Sequence, residues 1–184
     1  MKRKKLIAFL MATCIISATS ASVYAAFADS VAVENHISTG IVDIDLQEYQ
    51  EGENGREVYE DYKVIFPGDH ISKIPVITNE GEPCWIRVKL AYGNTSQSLE
   101  GFSDKNITGI SEDWKKIGEY YYYKNILGKE ESVDIFTGVS IPAEWTEEHA
   151  DQGLAIGIVA EAIQAANYKP DFESMSPWGN EEIQ

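Results

Sequence analysis

Apolar positions along this chain follow two regimes. Residues 6–16 form an apolar run interrupted only by Thr13, whereas from Val42 onward apolar and polar residues mostly alternate. Alternation at period two marks a strand with one buried and one wet face, because successive side chains on a strand point to opposite sides. Val42, Ile44 and Leu46 alternate with Asp43, Asp45 and Gln47, which predicts the first strand. A short second strand is expected over residues 63–66, ended by the turn residues Pro67-Gly68-Asp69. A third is expected over residues 71–78. Pro75 inside it argues for an edge position or a bulge, since proline cannot donate to a ladder. Asn79-Glu80-Gly81 reads as the turn that closes it.

The plainest strand follows, with Cys84, Ile86, Val88 and Leu90 alternating with Trp85, Arg87 and Lys89. Residues 94–113 are polar and glycine-containing, and read as a long loop. Residues 114–117 and 119–124 are strand-like, broken at Gly118. Over residues 132–141, Val133, Ile135, Val139 and Ile141 share one phase, and Pro142 stops the strand. Residues 143–152 have room for one or two helical turns. Residues 154–166 suit strand or helix, and Gly157 with β-branched Ile156, Ile158 and Val159 tilts the balance to strand. About eight strands in about 125 residues, with almost no helix, predict an all-β sandwich or barrel. From Lys169 to the end the chain turns polar and acidic, which predicts a flexible tail over residues 169–184, with Trp178 the one residue suited to dock back.

The apolar run at the start changes the picture of where the chain goes. Lys2, Arg3, Lys4 and Lys5 precede it, and small, mildly polar residues 17–22 follow. A membrane span needs about 20 apolar residues; this run is shorter, and the tripartite pattern is that of a secretory signal peptide. Small residues at the last and third-last positions before a cut fit both Val23-Tyr24-Ala25 and Ala26-Phe27-Ala28. Cleavage after Ala25 would remove four of the 15 cations and none of the 30 acids, moving the net charge from −15 to about −19. Such a surface repels nucleic acid and anionic lipid. Cys84 would be the single remaining cysteine, so no internal disulfide can form. Its place in the apolar phase predicts a buried thiol.

Candidate chemistry is sparse. His36, His70 and His149 do not form H-E-x-x-H, and Glu147, Glu148 and Asp151 make an acidic cluster around His149 without metal-ligand spacing. No nucleophile elbow or phosphate loop occurs. The sequence therefore nominates no catalytic, cofactor-binding or metal-ligating residue. Asn94-Thr95-Ser96 and Asn106-Ile107-Thr108 match the glycosylation triplet. Tyr120, Tyr121, Tyr122 and Tyr123 would place two rings on each side of a strand. The alternatives are a strand packed between two layers and a face for subunit contact or carbohydrate, the first being preferred.

Several segments resemble the TasA/camelysin family. They are residues 24–30 (YAAFADS), residues 35–40 leading into 41–46 (IVDIDL), residues 67–73 (PGDHISK) followed by 76–81 (VITNEG), residues 120–125 (YYYYKN) and residues 159–165 (VAEAIQA). Their order along the chain is the stronger signal, and together they span most of residues 24–167. The tyrosine run and acidic tail are more similar to short clostridial and bacillar relatives than to the longer fibre-forming members.

The resemblance implies export by a Gram-positive bacterium, with the leader removed between Ala25 and Ala26 by a SipW-type signal peptidase that reads Val23, Ala25 and Ala26. It implies a jelly-roll-like β-sandwich over residues 38–168, preceded by the signal-peptide helix of residues 1–25. It also implies a secreted structural protein of the cell surface or biofilm matrix, with itself or related matrix subunits as partners and membrane contact only through the leader. In the fibre-forming members the N-terminal segment of one subunit adds as a strand to the next. Residues 26–37 are the counterpart here, with Phe27, Val31, Val33 and Ile37 as candidate side chains on one phase, which Asp29 interrupts. The alternatives are a camelysin-type metallo-endopeptidase, a label the family carries without H-E-x-x-H, and a surface binding module that does not polymerise.

Overall fold

A computed structural model describes residues 35–36, 42–60, 65–93, 101–146 and 154–179. The described residues are all-β. The strands are β1 (Asn35–His36), β2 (Ile44–Gly52), β3 (Gly55–Val58), β4 (His70–Ser72), β5 (Ile74–Asn79), β6 (Cys84–Gly93), β7 (Ile107–Thr108), β8 (Trp114–Ile117), β9 (Tyr120–Tyr123), β10 (Ser132–Asp134), β11 (Gly138–Ser140) and β12 (Ala155–Gln164). Two single 3-10 turns, Asp104–Asn106 and Ala165–Asn167, are the only helical elements among the described residues.

Three sheets form, in the orders β1-β12-β6-β9-β8, β10-β5-β2-β3 and β4-β11-β7. Every pairing is antiparallel except that of β1 with β12. One apolar cluster joins them. Ile86 and Val88 of β6, Ile158 and Ala160 of β12 and Tyr121 of β9 meet Ile44 of β2, Ile77 of β5 and Val139 of β11. The alternation read in the sequence accounts for this in β6 and β12, whose apolar phase faces the cluster, whereas β5 is buried on both phases and β3 is exposed throughout. In β6 the register with β12 runs unbroken from Cys84–Gln164 to Gly93–Ala155.

Several expected boundaries shift. The first strand runs on to Gly52 and turns into β3, a hairpin that the all-polar residues 53–57 concealed. Of the strand expected at residues 63–66, Ile65 and Phe66 are not in a strand, and residues 63–64 lie outside the described ones. The strand at 71–78 is divided at Lys73 into β4 and β5. Pro75 lies in the interior of its sheet rather than at an edge, since β5 sits between β10 and β2. Proline is tolerated there because the ladder asks Pro75 for an acceptor: its carbonyl takes the N–H of Ile135 at 2.9 Å. The strand at 132–141 is likewise divided, into β10 and β11, by residues 135–137. Between β8 and β9 a two-residue hairpin turns through Gly118 at φ +61°, a value that suits glycine.

The tyrosine run sits between two layers. Tyr121 and Tyr123 face the main cluster, while Tyr120 and Tyr122 face a second one on the opposite side of the sheet. That second cluster corrects the expectation of a flexible tail. Residues 168–179 fold back over the outer face of the five-stranded sheet, where Tyr168, Phe172 and Trp178 pack with Trp85, Ile117, Tyr120, Tyr122 and Ile163. Trp178 is 2% exposed. Burial of Trp178 and partial burial of Tyr168 and Phe172 offset the ordering cost that a polar composition alone would leave unmet. Residues 180–184 of the predicted tail lie outside the described residues, as does the leader, residues 1–25.

Cys84 is fully buried, and burial pushes its thiol up to about 12, well above the ordinary thiol range. In the chain starting at Ala26, where it is the single cysteine, it should fail to react with a thiol reagent at mildly alkaline pH until the protein is unfolded. The sign for stability is fixed by the same shift. The folded state holds the proton more tightly, so stability is highest below the unfolded value and falls as pH rises from about 9 toward about 12. Rapid native labelling would contradict this.

Candidate functional site

The outer edge of β12 is the feature with the clearest capacity for recognition. β12 pairs with β6 over ten residues on one side. On its other side, among the described residues, only β1 pairs with it, through Asn35 opposite Ala160 and His36 opposite Glu161, in parallel. This edge of β12 therefore accepts a strand in parallel through its main chain at Ala160 and Glu161.

The inward face of β12 is buried and its outward face is partly covered. Ile156, Ile158, Ala160 and Ala162 are buried in the main cluster. On the outward phase Ile163 joins the second cluster, and the Glu161 carboxylate accepts from Nε of Arg87. Arg87 is enclosed by aromatic rings: its guanidinium carbon lies 4.1 Å from the centre of Tyr120, 4.5 Å from Trp178 and 5.9 Å from Tyr122. Its Nη1 also donates to the Tyr122 hydroxyl at 3.3 Å. An ion pair held this far from solvent fixes the outward face of β12 beside the point where β1 docks.

The residues nominated from the sequence divide as follows. Val23, Ala25 and Ala26 at the cut site, and Phe27, Val31, Val33 and Ile37 of the candidate strand, all lie outside the described residues. Asn35 and His36 of the same segment are described, and they are the residues that pair with β12. His70 lies on β4, exposed, with Nδ1 at 3.2 Å from the Ser140 hydroxyl. His149 and its acidic neighbours lie outside the described residues. Among the described residues no group of three or more histidine, cysteine or acidic side chains is placed to hold a metal ion. The Asn106 amide is engaged at both ends, donating to the Ser140 carbonyl at 3.0 Å and accepting from the Ser103 N–H at 3.0 Å. Asn94 of the other glycosylation triplet lies outside the described residues.

Two features of this site escape a reading of local patterns. Arg87 and Glu161 are 74 residues apart and each looks like an ordinary outward charge in its own strand. The aromatic enclosure arises only when Trp178 arrives from the C-terminal segment. No helix among the described residues is long and apolar enough to cross a membrane. No family model matches the chain, and no curated protein or solved structure matches it either.

Proposed function

We propose that this chain is an exported structural protein of the bacterial cell surface or biofilm matrix, a jelly-roll-like β-sandwich whose copies join by N-terminal strand addition. The observation that carries the reading is the parallel pairing of Asn35 and His36 with the outer edge of β12. A docked strand that keeps this register sets Val31 opposite Ile156, Val33 opposite Ile158 and Ile37 opposite Ala162, so the apolar phase of the segment falls on the buried phase of the acceptor. Phe27 and Asp29 then fall before Ala155, the first residue of β12, and the charge of Asp29 does not enter the ladder. From Val31 onward Asn35 is the one polar residue on that phase, opposite Ala160.

The same main-chain bonds can form within one chain or between two, which is the physical basis of strand exchange. Within one chain the segment competes at a high effective concentration; between chains it competes by mass action. Removal of the leader between Ala25 and Ala26 by a SipW-type peptidase would free the N-terminus to choose between them. The partner is another copy or a related matrix subunit. The sequence segments that resemble the TasA/camelysin family support the same reading.

The test is electron microscopy and sedimentation of purified chain beginning at Ala26. Fibres or large oligomers should form with a strong dependence on concentration, and a Val31→Asp/Val33→Asp double variant should stay monomeric. Fibres from a chain lacking residues 26–37 would overturn the proposal.

A further inference from the structure

We infer that the C-terminal segment, residues 168–179, is a clamp that holds the β12 edge in the geometry a docking strand requires. This rests on the reading of β12 as the acceptor edge. The segment touches four strands of the five-stranded sheet. Trp85 Nε1 on β6 donates to the Tyr168 carbonyl at 2.9 Å, and Phe172 lies edge-on to the Trp85 ring at 6.0 Å. On β8, Lys115 Nζ donates to the Phe172 carbonyl at 2.6 Å and to the Glu173 carboxylate at 2.8 Å. Trp178 lies edge-on to Tyr122 of β9 at 5.8 Å and packs with Ile163 of β12. The segment also closes on itself, since the Tyr168 hydroxyl and the Asp171 N–H both donate to the Pro177 carbonyl at 3.1 Å.

The route from clamp to edge is short. Trp178 covers Arg87, Arg87 holds Glu161, and Glu161 is the β12 residue opposite His36. With Trp178 in place, Arg87 is confined between it and Tyr120, which keeps the Glu161 side chain drawn toward β6 and away from the docking side. With Trp178 gone, the guanidinium gains solvent, Ile163 is uncovered, and β12 loses what holds its outward phase. A strand that loses packing on its outward phase opens locally more often, and its main-chain N–H groups exchange faster. The clamp is also poised to release. Among the described residues the buried Trp178 indole N–H has no hydrogen-bond acceptor, so leaving the sheet restores a bond to water and offsets part of the lost burial.

The test is hydrogen exchange read by mass spectrometry on the chain beginning at Ala26, beside its Trp178→Ala, Trp178→Phe and Lys115→Ala variants, with sedimentation on the same samples. Trp178→Ala should speed exchange in β12 about tenfold while β2 and β5 keep wild-type protection, and should lower the assembled fraction. Trp178→Phe should recover most of both, and Lys115→Ala should fall between. If Trp178→Ala fails to fold, the Lys115→Ala comparison decides alone. Exchange in β12 at the wild-type rate in the folded variants overturns the clamp, and so does equal acceleration in β12, β2 and β5, which would mean general destabilisation. If the parent chain does not assemble, the strand-addition proposal fails by itself, while the exchange comparison still decides the clamp.

Discussion

Asn79→Asp, a change of one atom group at constant shape, is expected to cost about 3 kcal/mol or more of folding stability at neutral pH. Asn79 is fully buried at the end of β5. Its amide nitrogen donates to the Glu82 carbonyl at 3.0 Å and to the Leu127 carbonyl at 2.9 Å, and its amide oxygen accepts from the Gly81 N–H at 3.0 Å. Its backbone is engaged too, with its N–H on the Glu131 carbonyl at 3.0 Å and its carbonyl taking the Glu130 N–H at 2.7 Å. One side chain thus ties the β5–β6 turn to the loop after β9, where Cys84 and Leu127 form an isolated bridge. A carboxylate keeps the bond from Gly81 but turns an acceptor toward two carbonyl oxygens in a dry site. Two bonds are lost and a repulsion is added.

The pH dependence separates this mechanism from simple loss of packing. The introduced acid is desolvated and faces carbonyls, so its folded pKa lies above its unfolded one. The protonated form can donate to one carbonyl. The penalty is therefore smallest below the unfolded value and grows as pH rises through the folded one. Asn79→Ala should cost about 2 kcal/mol, since it removes three hydrogen bonds at a buried site, although the Gly81 N–H keeps the Asp43 carbonyl and the Leu127 carbonyl keeps the Cys84 N–H, and should show no such added pH dependence. Urea unfolding across a pH series checks both; a pH-independent loss in Asn79→Asp would refute the account.

How much of this was legible in the sequence depends on the range of each interaction. The alternation of Cys84, Ile86, Val88 and Leu90 is a local property, and it marked β6 well because strand pleating is local. Gly157 with β-branched neighbours marked β12 against a helix for the same reason. The breaks at Lys73 and at residues 135–137 were not legible, because they depend on β4 and β11 leaving one sheet for another partner. Asn79 reads as an ordinary turn residue; its bond to Leu127 spans 48 residues. Tyr168, Phe172 and Trp178 follow no period, so composition marked their segment as flexible, whereas the face that receives them is made by the outward phases of β6, β9 and β12. For the candidate site, the incoming segment was legible only through family resemblance, and the acceptor edge only through topology.

The second large effect is expected at Phe136, where Phe136→Ala should cost about 3–5 kcal/mol, the usual range for removing a buried aromatic ring. Phe136 is fully buried in the main cluster, and it lies in the break between β10 and β11. The backbone on either side is anchored: Ile135 N–H donates to the Pro75 carbonyl at 2.9 Å and Thr137 N–H to the Thr108 carbonyl at 3.0 Å. These bonds hold residues 135–137 between two sheets and leave the neighbouring backbone little freedom to close around a missing ring. The cavity term should therefore add to the transfer term, which places the expected cost toward the upper part of the range. At about 3 °C per kcal/mol for a chain of this size, the melting temperature should fall by about 10 °C or more. Phe136→Leu, which keeps an apolar side chain in place, should lose distinctly less. Calorimetry with an unchanged m-value in denaturant checks the mechanism. A loss below about 1.5 kcal/mol would mean that the junction collapses around the gap, and that the break between β10 and β11 is softer than its two anchoring bonds imply.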